Sequence, residues 1–205
     1  MRPGTLLSVA LLWLLAAPAF AQNPQTLLDR AVVEFEAGRF TESAVLFDRL
    51  AAAVPDRAAH LWQRGIALYY AERYGDCRRQ FEVHRTVNPD DVENAAWHFL
   101  CVARAESPAA ARAALLPVGP DSRSPMREVY EMFRGTLTAE QVLAAAGAQT
   151  GAQFYARLYI GLFLEARGMT DQSLPQLRLA ADDRFKDVGG YMQMVARVHV
   201  RARSR

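Results

Sequence analysis

The chain repeats its own pattern at an interval of about 34 residues in its N-terminal half. Small, aromatic and proline positions recur at this interval, and Phe35, for example, is matched by Tyr69. The identical pairs are Leu27 and Leu61, Ala37 and Ala71, Arg39 and Arg73, Phe47 and Phe81, Pro55 and Pro89, and Asp56 and Asp90. A unit of this length holds two short helices and a turn, and such units bury their apolar faces by stacking on one another. The period therefore predicts an all-α chain of stacked helical hairpins.

This pattern resembles the tetratricopeptide repeat (TPR), a helix-turn-helix unit that stacks into a solenoid. The resemblance implies three repeats, at about residues 24–57, 58–91 and 154–187. The third is recognised by Gly161, which matches Gly65 of the second, and by Gly168, which supplies the turn. Glycine suits such a turn because it takes a positive φ without steric cost.

The residues between the second and third repeats do not keep the period. They predict an irregular helical middle, which begins with a helix over Val92–Ala105. Asp90 is the expected N-cap of this helix, with Glu93 completing a capping box. Ser-Pro and Thr-x-x-Gln start signals predict three further short helices, at about residues 107–116, 124–134 and 138–147. A last amphipathic helix, residues 188–203, is expected to cap the open end of the stack.

Residues 1–21 have the features of a secretory signal peptide. Arg2 gives a positive start, residues 6–17 form an apolar run, and Ala19-Phe20-Ala21 matches the small-x-small cleavage pattern. The apolar run is shorter than the roughly 20 residues that span a membrane. We therefore expect cleavage before Gln22, and export of residues 22–205 as one domain to the periplasm or the medium.

Composition and motifs exclude several classes of function. The formal net charge of +2 argues against nucleic acid as the main ligand, which needs a concentrated basic face. No second apolar stretch is long enough to cross a membrane. The sequence has no G-x-S-x-G, no H-E-x-x-H and no phosphate loop. We therefore expect neither enzymatic activity nor a cofactor.

The first helices of the repeats are expected to line a concave face that binds a partner protein or peptide. Aromatic side chains suit this role because each buries a large area with few rotatable bonds. The predicted partner-binding residues are Leu28, Val32, Phe35, Trp62, Ile66, Tyr69, Tyr70, Tyr155, Leu158 and Leu162, with Glu165 beside them. The alternative is that several of them pack between the repeats and meet no ligand.

Two cysteines, Cys77 and Cys101, are the only thiols in the chain. His84 lies two helical turns from Cys77, about 10 Å along the axis, so the two cannot share a tetrahedral zinc ion. We therefore predict no metal site. Cys77 and Cys101 lie equally far from Pro89, at which two antiparallel helices are expected to turn. A structural disulfide, or two separately buried thiols, remain the alternatives.

Three segments resemble the NlpI family of bacterial cell-envelope lipoproteins. They are residues 64–74 (RGIALYYAERY), 91–106 (DVENAAWHFLCVARAE) and 154–173 (FYARLYIGLFLEARGMTDQS). The order of regular and irregular units is also similar. The resemblance implies a helical-repeat adaptor that dimerises and brings envelope hydrolases together with a processing protease. This chain differs from that family in having no lipid-bearing cysteine at the cleavage point.

These observations predict a non-catalytic protein-binding adaptor of the bacterial cell envelope. The alternative is a self-assembling structural subunit of an envelope complex, which uses the stack to bind copies of itself. The mass of the particle in solution distinguishes the two.

Overall fold

The computed structural model describes residues 23–203, and every regular element in that range is helical, as the sequence predicts. The α-helices are α1 (Pro24–Glu36), α2 (Phe40–Ala53), α3 (Trp62–Tyr70), α4 (Tyr74–His84), α5 (Val92–Ala105), α6 (Pro108–Ala113), α7 (Met126–Arg134), α8 (Ala139–Ala146), α9 (Thr150–Ala166), α10 (Thr170–Ala180) and α11 (Gly190–Arg203). Short 3₁₀ helices lie at Pro55–His60 and Asp183–Phe185. The predicted signal peptide lies outside the described residues. Within residues 23–203, no helix has both the length and the apolar character needed to cross a membrane.

Three helical hairpins, α1–α2, α3–α4 and α9–α10, share one turn. The residue at the head of each turn is left-handed, with φ of 78° at Gly38, 60° at Glu72 and 77° at Gly168. The residue after each of these has φ near −90° and a positive ψ, and it starts the second helix without a side-chain cap. Residues far apart in the chain therefore fold into the same local structure.

Glu72 gives a test of this shared turn, because an L side chain pays roughly 1–2 kcal/mol in the left-handed region. We expect Glu72→Gly to raise the free energy of unfolding by about 1 kcal/mol, and Gly38→Ala to lower it by about 1 kcal/mol. Glu42→Gly is the matched control, because Glu42 is exposed in the first turn of α2 and glycine there costs about 0.5–1 kcal/mol. Urea unfolding measures all three. A Glu72→Gly variant that is destabilised as much as Glu42→Gly would contradict the prediction.

The two helices of each hairpin cross closely at a small residue. A Cβ atom at Gly65 would lie 2.6 Å from the Phe81 ring, and one at Gly161 would lie 2.6 Å from Cγ of Leu177. In the α1–α2 and α9–α10 hairpins, a buried serine hydroxyl joins the two helices. Ser43 Oγ donates to the Ala31 carbonyl at 2.8 Å, as Ser173 Oγ does to that of Gly161.

Cys77 occupies in the α3–α4 hairpin the position that Ser43 and Ser173 occupy in the other two. It is bonded to Cys101 of α5, and the two Cα atoms are 5.9 Å apart. Both cysteines are fully buried. The disulfide therefore ties the second hairpin to the irregular middle of the chain.

Ion pairs join the first hairpin to the second. Asp48 of α2 accepts from Arg64 Nε at 2.9 Å and from Arg73 Nη1 at 2.6 Å. All three side chains are partly exposed, so their contribution to stability is modest, typically up to about 1 kcal/mol for such a pair. Their role is to fix how the hairpins sit against each other.

The irregular middle is helical as predicted, with different boundaries. The N-cap of α5 is Asp91, not Asp90, because the Asp91 side chain accepts from the Glu93 N–H at 3.0 Å. The Glu93 side chain does not complete a capping box and bonds to other residues. The capping box of Thr138 with Gln141 at the start of α8 is confirmed.

Helix α11 begins at Gly190, two residues later than predicted, and it does more than cap the last hairpin. It packs on α10 and also reaches the first two hairpins. The centre of the Tyr191 ring lies 5.0 Å from the centre of the Trp62 ring and 6.1 Å from the centre of the Phe35 ring. At its other end, Arg201 donates to the Glu36 carbonyl. The aromatic side chains of α1 and α3 therefore form a second surface against which α11 is buried.

Candidate functional site

The residues predicted to line a partner-binding face are brought together only in part, and α11 lies across them. Half-buried positions are Leu28, Val32, Trp62, Tyr70 and Tyr155. Fully buried positions are Phe35, Ile66, Tyr69, Leu158 and Leu162. The buried five are not accessible to a partner while the helices hold this arrangement. Helix α11 covers the part of the expected groove that is formed by Phe35, Trp62 and Tyr70.

A polar cluster holds α11 against this face. The Tyr70 hydroxyl lies 2.9 Å from Nδ1 of His199, a buried residue of α11. His199 Nε2 lies 2.9 Å from a Glu165 oxygen, an ion-pair distance at an angle unsuited to a hydrogen bond. Burial pushes the pKa of Glu165 up, but the His199 imidazole and the Arg203 guanidinium outweigh burial and hold the pKa below its ordinary value. Glu165 is therefore the anion that anchors the end of α11.

A cavity of about 230 Å³ lies beside the start of α11. It is lined by Trp62 of α3, Phe81 and His84 of α4, Asp91, Glu93, Asn94 and Trp97 at and in α5, Arg123 of the following loop, and Met192 of α11. Of the predicted partner-binding residues, Trp62 lines this cavity. It is the part of the face beside Trp62 that α11 leaves unfilled.

Arg123 organises one side of the cavity. Its guanidinium is bonded at 2.6 Å to Asp91, to Glu93 and to Asp121. The same guanidinium lies 5.9 Å from the centre of the Tyr155 ring. Asp121 is itself fixed by accepting from the Val92 N–H at 3.2 Å. Three carboxylates therefore converge on a single guanidinium, with an aromatic ring near it.

Glu93 is the carboxylate of this group whose pKa is raised. Burial raises its pKa above the ordinary value of 4.5, and the neighbouring Asp91 raises it further. The Tyr159 hydroxyl and Arg123 act in the opposite direction without cancelling the effect. Glu93 therefore holds a proton more tightly in the folded protein than in the unfolded chain.

This shift predicts how stability depends on pH. Because the folded pKa is the higher one, protonated Glu93 favours the folded state, and that contribution is lost as the pH rises from about 4.5 through the raised pKa. Relative to the Glu93→Gln variant, the natural protein is therefore expected to lose stability over this range. Glu140→Gln is the control, because a hydrogen bond from Thr138 lowers the pKa of the exposed Glu140 and gives the opposite slope. Urea unfolding from pH 3 to pH 8 measures both, because the Glu140 slope lies below the ordinary pKa of 4.5 and the Glu93 slope lies above it. A flat difference for Glu93→Gln would contradict the shift.

Trp97 carries an unpaired donor at this site. Its side chain is 1% exposed, and its Nε1–H has no hydrogen-bond partner. The indole is held between Tyr69 and Phe81, with ring centres 5.5 Å and 6.5 Å away. An unpaired buried donor costs about 1–3 kcal/mol. Buried indole N–H groups usually have a partner, so this one marks a place where an acceptor is wanted.

The histidines near the cysteines have other partners. His84 Nδ1 lies 2.9 Å from the Ala59 carbonyl, and His98 Nε2 lies 3.5 Å from a Glu82 oxygen. Among residues 23–203, no group of three or more His, Cys, Asp and Glu is arranged to hold a metal ion.

Sequence reasoning missed Arg123 and Asp121, which it left in a loop. The signal was present as the pattern Asp-x-Arg at 121–123 and Asp-x-Glu at 91–93. It could not be interpreted, because the two segments meet only once α5 and the loop are folded together. Comparison of the sequence with models of known protein families and with curated proteins gives no match.

Proposed function

We propose that the three matching hairpins form a TPR-like solenoid. The proposal is supported by their common left-handed turn and by the close helix crossings at Gly65 and Gly161. It is also supported by the buried serine hydroxyls, each of which joins the two helices within one hairpin. Such stacks present one helix of each repeat on a concave surface, which is their usual binding face.

On that face, the chain acts as a non-catalytic adaptor that docks a partner protein. The observation that carries this proposal is that the face already holds a helix. Tyr191 and His199 of α11 are seated against Phe35, Trp62 and Tyr70, which are residues predicted as partner anchors. A surface that retains one amphipathic helix through aromatic contacts has the chemistry of a helix or peptide receptor. The cavity between Trp62 and Trp97 is the part left for a partner.

The site of action is the bacterial cell envelope. The predicted signal peptide supports export, and the disulfide of Cys77 with Cys101 suits an oxidising compartment. By the resemblance of residues 64–74, 91–106 and 154–173, the partners are envelope hydrolases or a processing protease, and the adaptor itself forms a homodimer.

Site-specific photo-crosslinking in the bacterial envelope tests this function. A photoreactive phenylalanine at Trp62 or Tyr155, on the rim of the face, is expected to give one discrete adduct with another protein. The control position is Val83, which is 49% exposed on α4 and does not line the cavity. Adducts equally strong at Val83, or none at the rim, would overturn the adaptor proposal. An adduct of twice the chain's own mass as the sole product would favour the self-assembling subunit.

A further inference from the structure

The charges at the cavity do not balance. Asp91 and Glu93 line the cavity with Arg123, which is the only arginine or lysine among the lining residues. All three bond to one another through the Arg123 guanidinium, so the cavity wall has one carboxylate in excess of its cation. Burial and, after it, the neighbouring Asp91 raise the pKa of Glu93. A second positive group in the cavity would offset the excess negative charge.

The other side of the cavity is aromatic. Trp62, Phe81 and Trp97 line it, and the faces of such rings attract an ammonium or guanidinium group. Arg123 already lies among three carboxylates and near the Tyr155 ring, so this part of the protein accommodates a guanidinium by both kinds of contact. The same combination remains available on the cavity side.

The volume sets the size of the ligand. Cavities for drug-sized molecules run from about 300 to 1,000 Å³, and this one is about 230 Å³. It therefore suits one side chain with its adjoining peptide group rather than a larger cofactor.

We propose that this cavity binds a single Lys or Arg residue of a partner segment. The cationic end lies toward Asp91 and Glu93, and the stem of the side chain lies against Trp62. This assignment rests on the adaptor function and gives that function its sequence preference. The partner segment is basic at the point where it enters the face.

Intrinsic fluorescence can report binding directly. Of the three tryptophans, Trp62 and Trp97 line the cavity, and Trp13 lies outside the described residues. In the full chain with Trp13→Phe, titration with N-acetyl-arginine amide is expected to change the emission and to saturate. N-acetyl-citrulline amide, which has the same shape without the charge, is expected to bind at least about tenfold more weakly, as expected when a charge-assisted hydrogen bond is lost.

Variants separate the two contacts. Asp91→Asn and Glu93→Gln are each expected to weaken binding of N-acetyl-arginine amide by about tenfold. Asp183→Asn is the control, because Asp183 is exposed and does not line the cavity. Trp62→Ala removes the ring against which the stem of the side chain lies, so it is expected to weaken binding of N-acetyl-arginine amide by about tenfold, with Trp97 as the remaining reporter. Circular dichroism establishes that each variant is folded.

Three results would overturn the assignment. They are no saturable change with N-acetyl-arginine amide, equal binding of the citrulline compound, or unchanged affinity in a folded Asp91→Asn, Glu93→Gln double variant. If Glu93→Gln does not fold, Asp91→Asn and Trp62→Ala still decide the matter. Binding of the arginine probe without a crosslinked partner at Trp62 would leave the cavity assigned and the adaptor function rejected. A crosslinked partner without probe binding would do the reverse.

Discussion

Removing the bond between Cys77 and Cys101 is expected to lower the free energy of unfolding by about 3 kcal/mol. The bond closes a loop of about 25 residues, and on the chain-entropy model such a loop loses about that much freedom in the unfolded chain. The comparison is between the natural protein and a Cys77→Ala, Cys101→Ala variant, both measured by urea unfolding. Thiol counting on denatured, unreduced protein first establishes the bond. Two free thiols per chain, or equal stability of the two proteins, would contradict the prediction.

The other hairpins supply a sharper control for this experiment. Because Cys77 takes the position of Ser43 and Ser173, a Cys77→Ser side chain is placed to donate to the Gly65 carbonyl as they donate to theirs. Cys77→Ser, Cys101→Ala is therefore expected to be more stable than Cys77→Ala, Cys101→Ala by about 1 kcal/mol, the typical net value of one buried hydrogen bond. A serine variant less stable than the alanine variant would show that the hairpins are not equivalent at this position.

Gly161→Ala is expected to lower the free energy of unfolding by about 1–3 kcal/mol, even though alanine favours a helix by up to about 1 kcal/mol. The added Cβ would lie 2.6 Å from Cγ of Leu177 and 3.2 Å from its backbone nitrogen, so α9 and α10 must separate. Gly151→Ala in the same helix is the control. A Cβ there meets nothing within 4 Å, and this change is expected to be neutral or stabilising.

A double variant tests whether the stability lost in Gly161→Ala is caused by crowding between α9 and α10. Leu177→Ala removes Cγ and Cδ2, the two atoms that lie closest to the new Cβ, and leaves the backbone nitrogen at 3.2 Å. In that background, Gly161→Ala is expected to lose most of its penalty, because contacting residues do not contribute additively. A penalty that stays the same in both backgrounds would mean that the cost does not arise at this crossing.

The hairpins could be predicted from sequence because their determinants are local. Gly38 and Gly168 indicate turns. Ala31 and Gly65 occupy matching positions 34 residues apart, and apolar residues recur at the same interval. The left-handed conformation of Glu72 was not predicted, because glutamate does not favour it. Glu72 lies 34 residues after Gly38, at the same place in the repeat. The helix boundaries were less accurate, as with Asp91 in place of Asp90, because two adjacent aspartates offer the same capping group.

The candidate site could not be predicted, because it depends on residues that meet only in the folded chain. Arg123 is bonded to Asp91 across a loop that carries no helical or strand pattern. The seat of α11 depends on His199 and Tyr70, which are 129 residues apart. An amphipathic stripe shows that a helix buries one face, but it does not say which surface covers that face. For α11 the amphipathic stripe could be predicted, whereas the surface that covers it is formed by Phe35, Trp62 and Tyr70 only in the folded chain.

The contact of Arg201 with Glu36 joins residues 165 positions apart, and it changes how the protein is expected to unfold. In a linear array each repeat touches only its neighbours, so the ends fray and the array melts piece by piece. Here α11 ties the last hairpin to the first, and loosening either one breaks contacts of both. One sharp melting transition is therefore expected in place of a graded one. Insertion of an additional hairpin would therefore not simply lengthen the molecule, because it would separate α11 from the first hairpin.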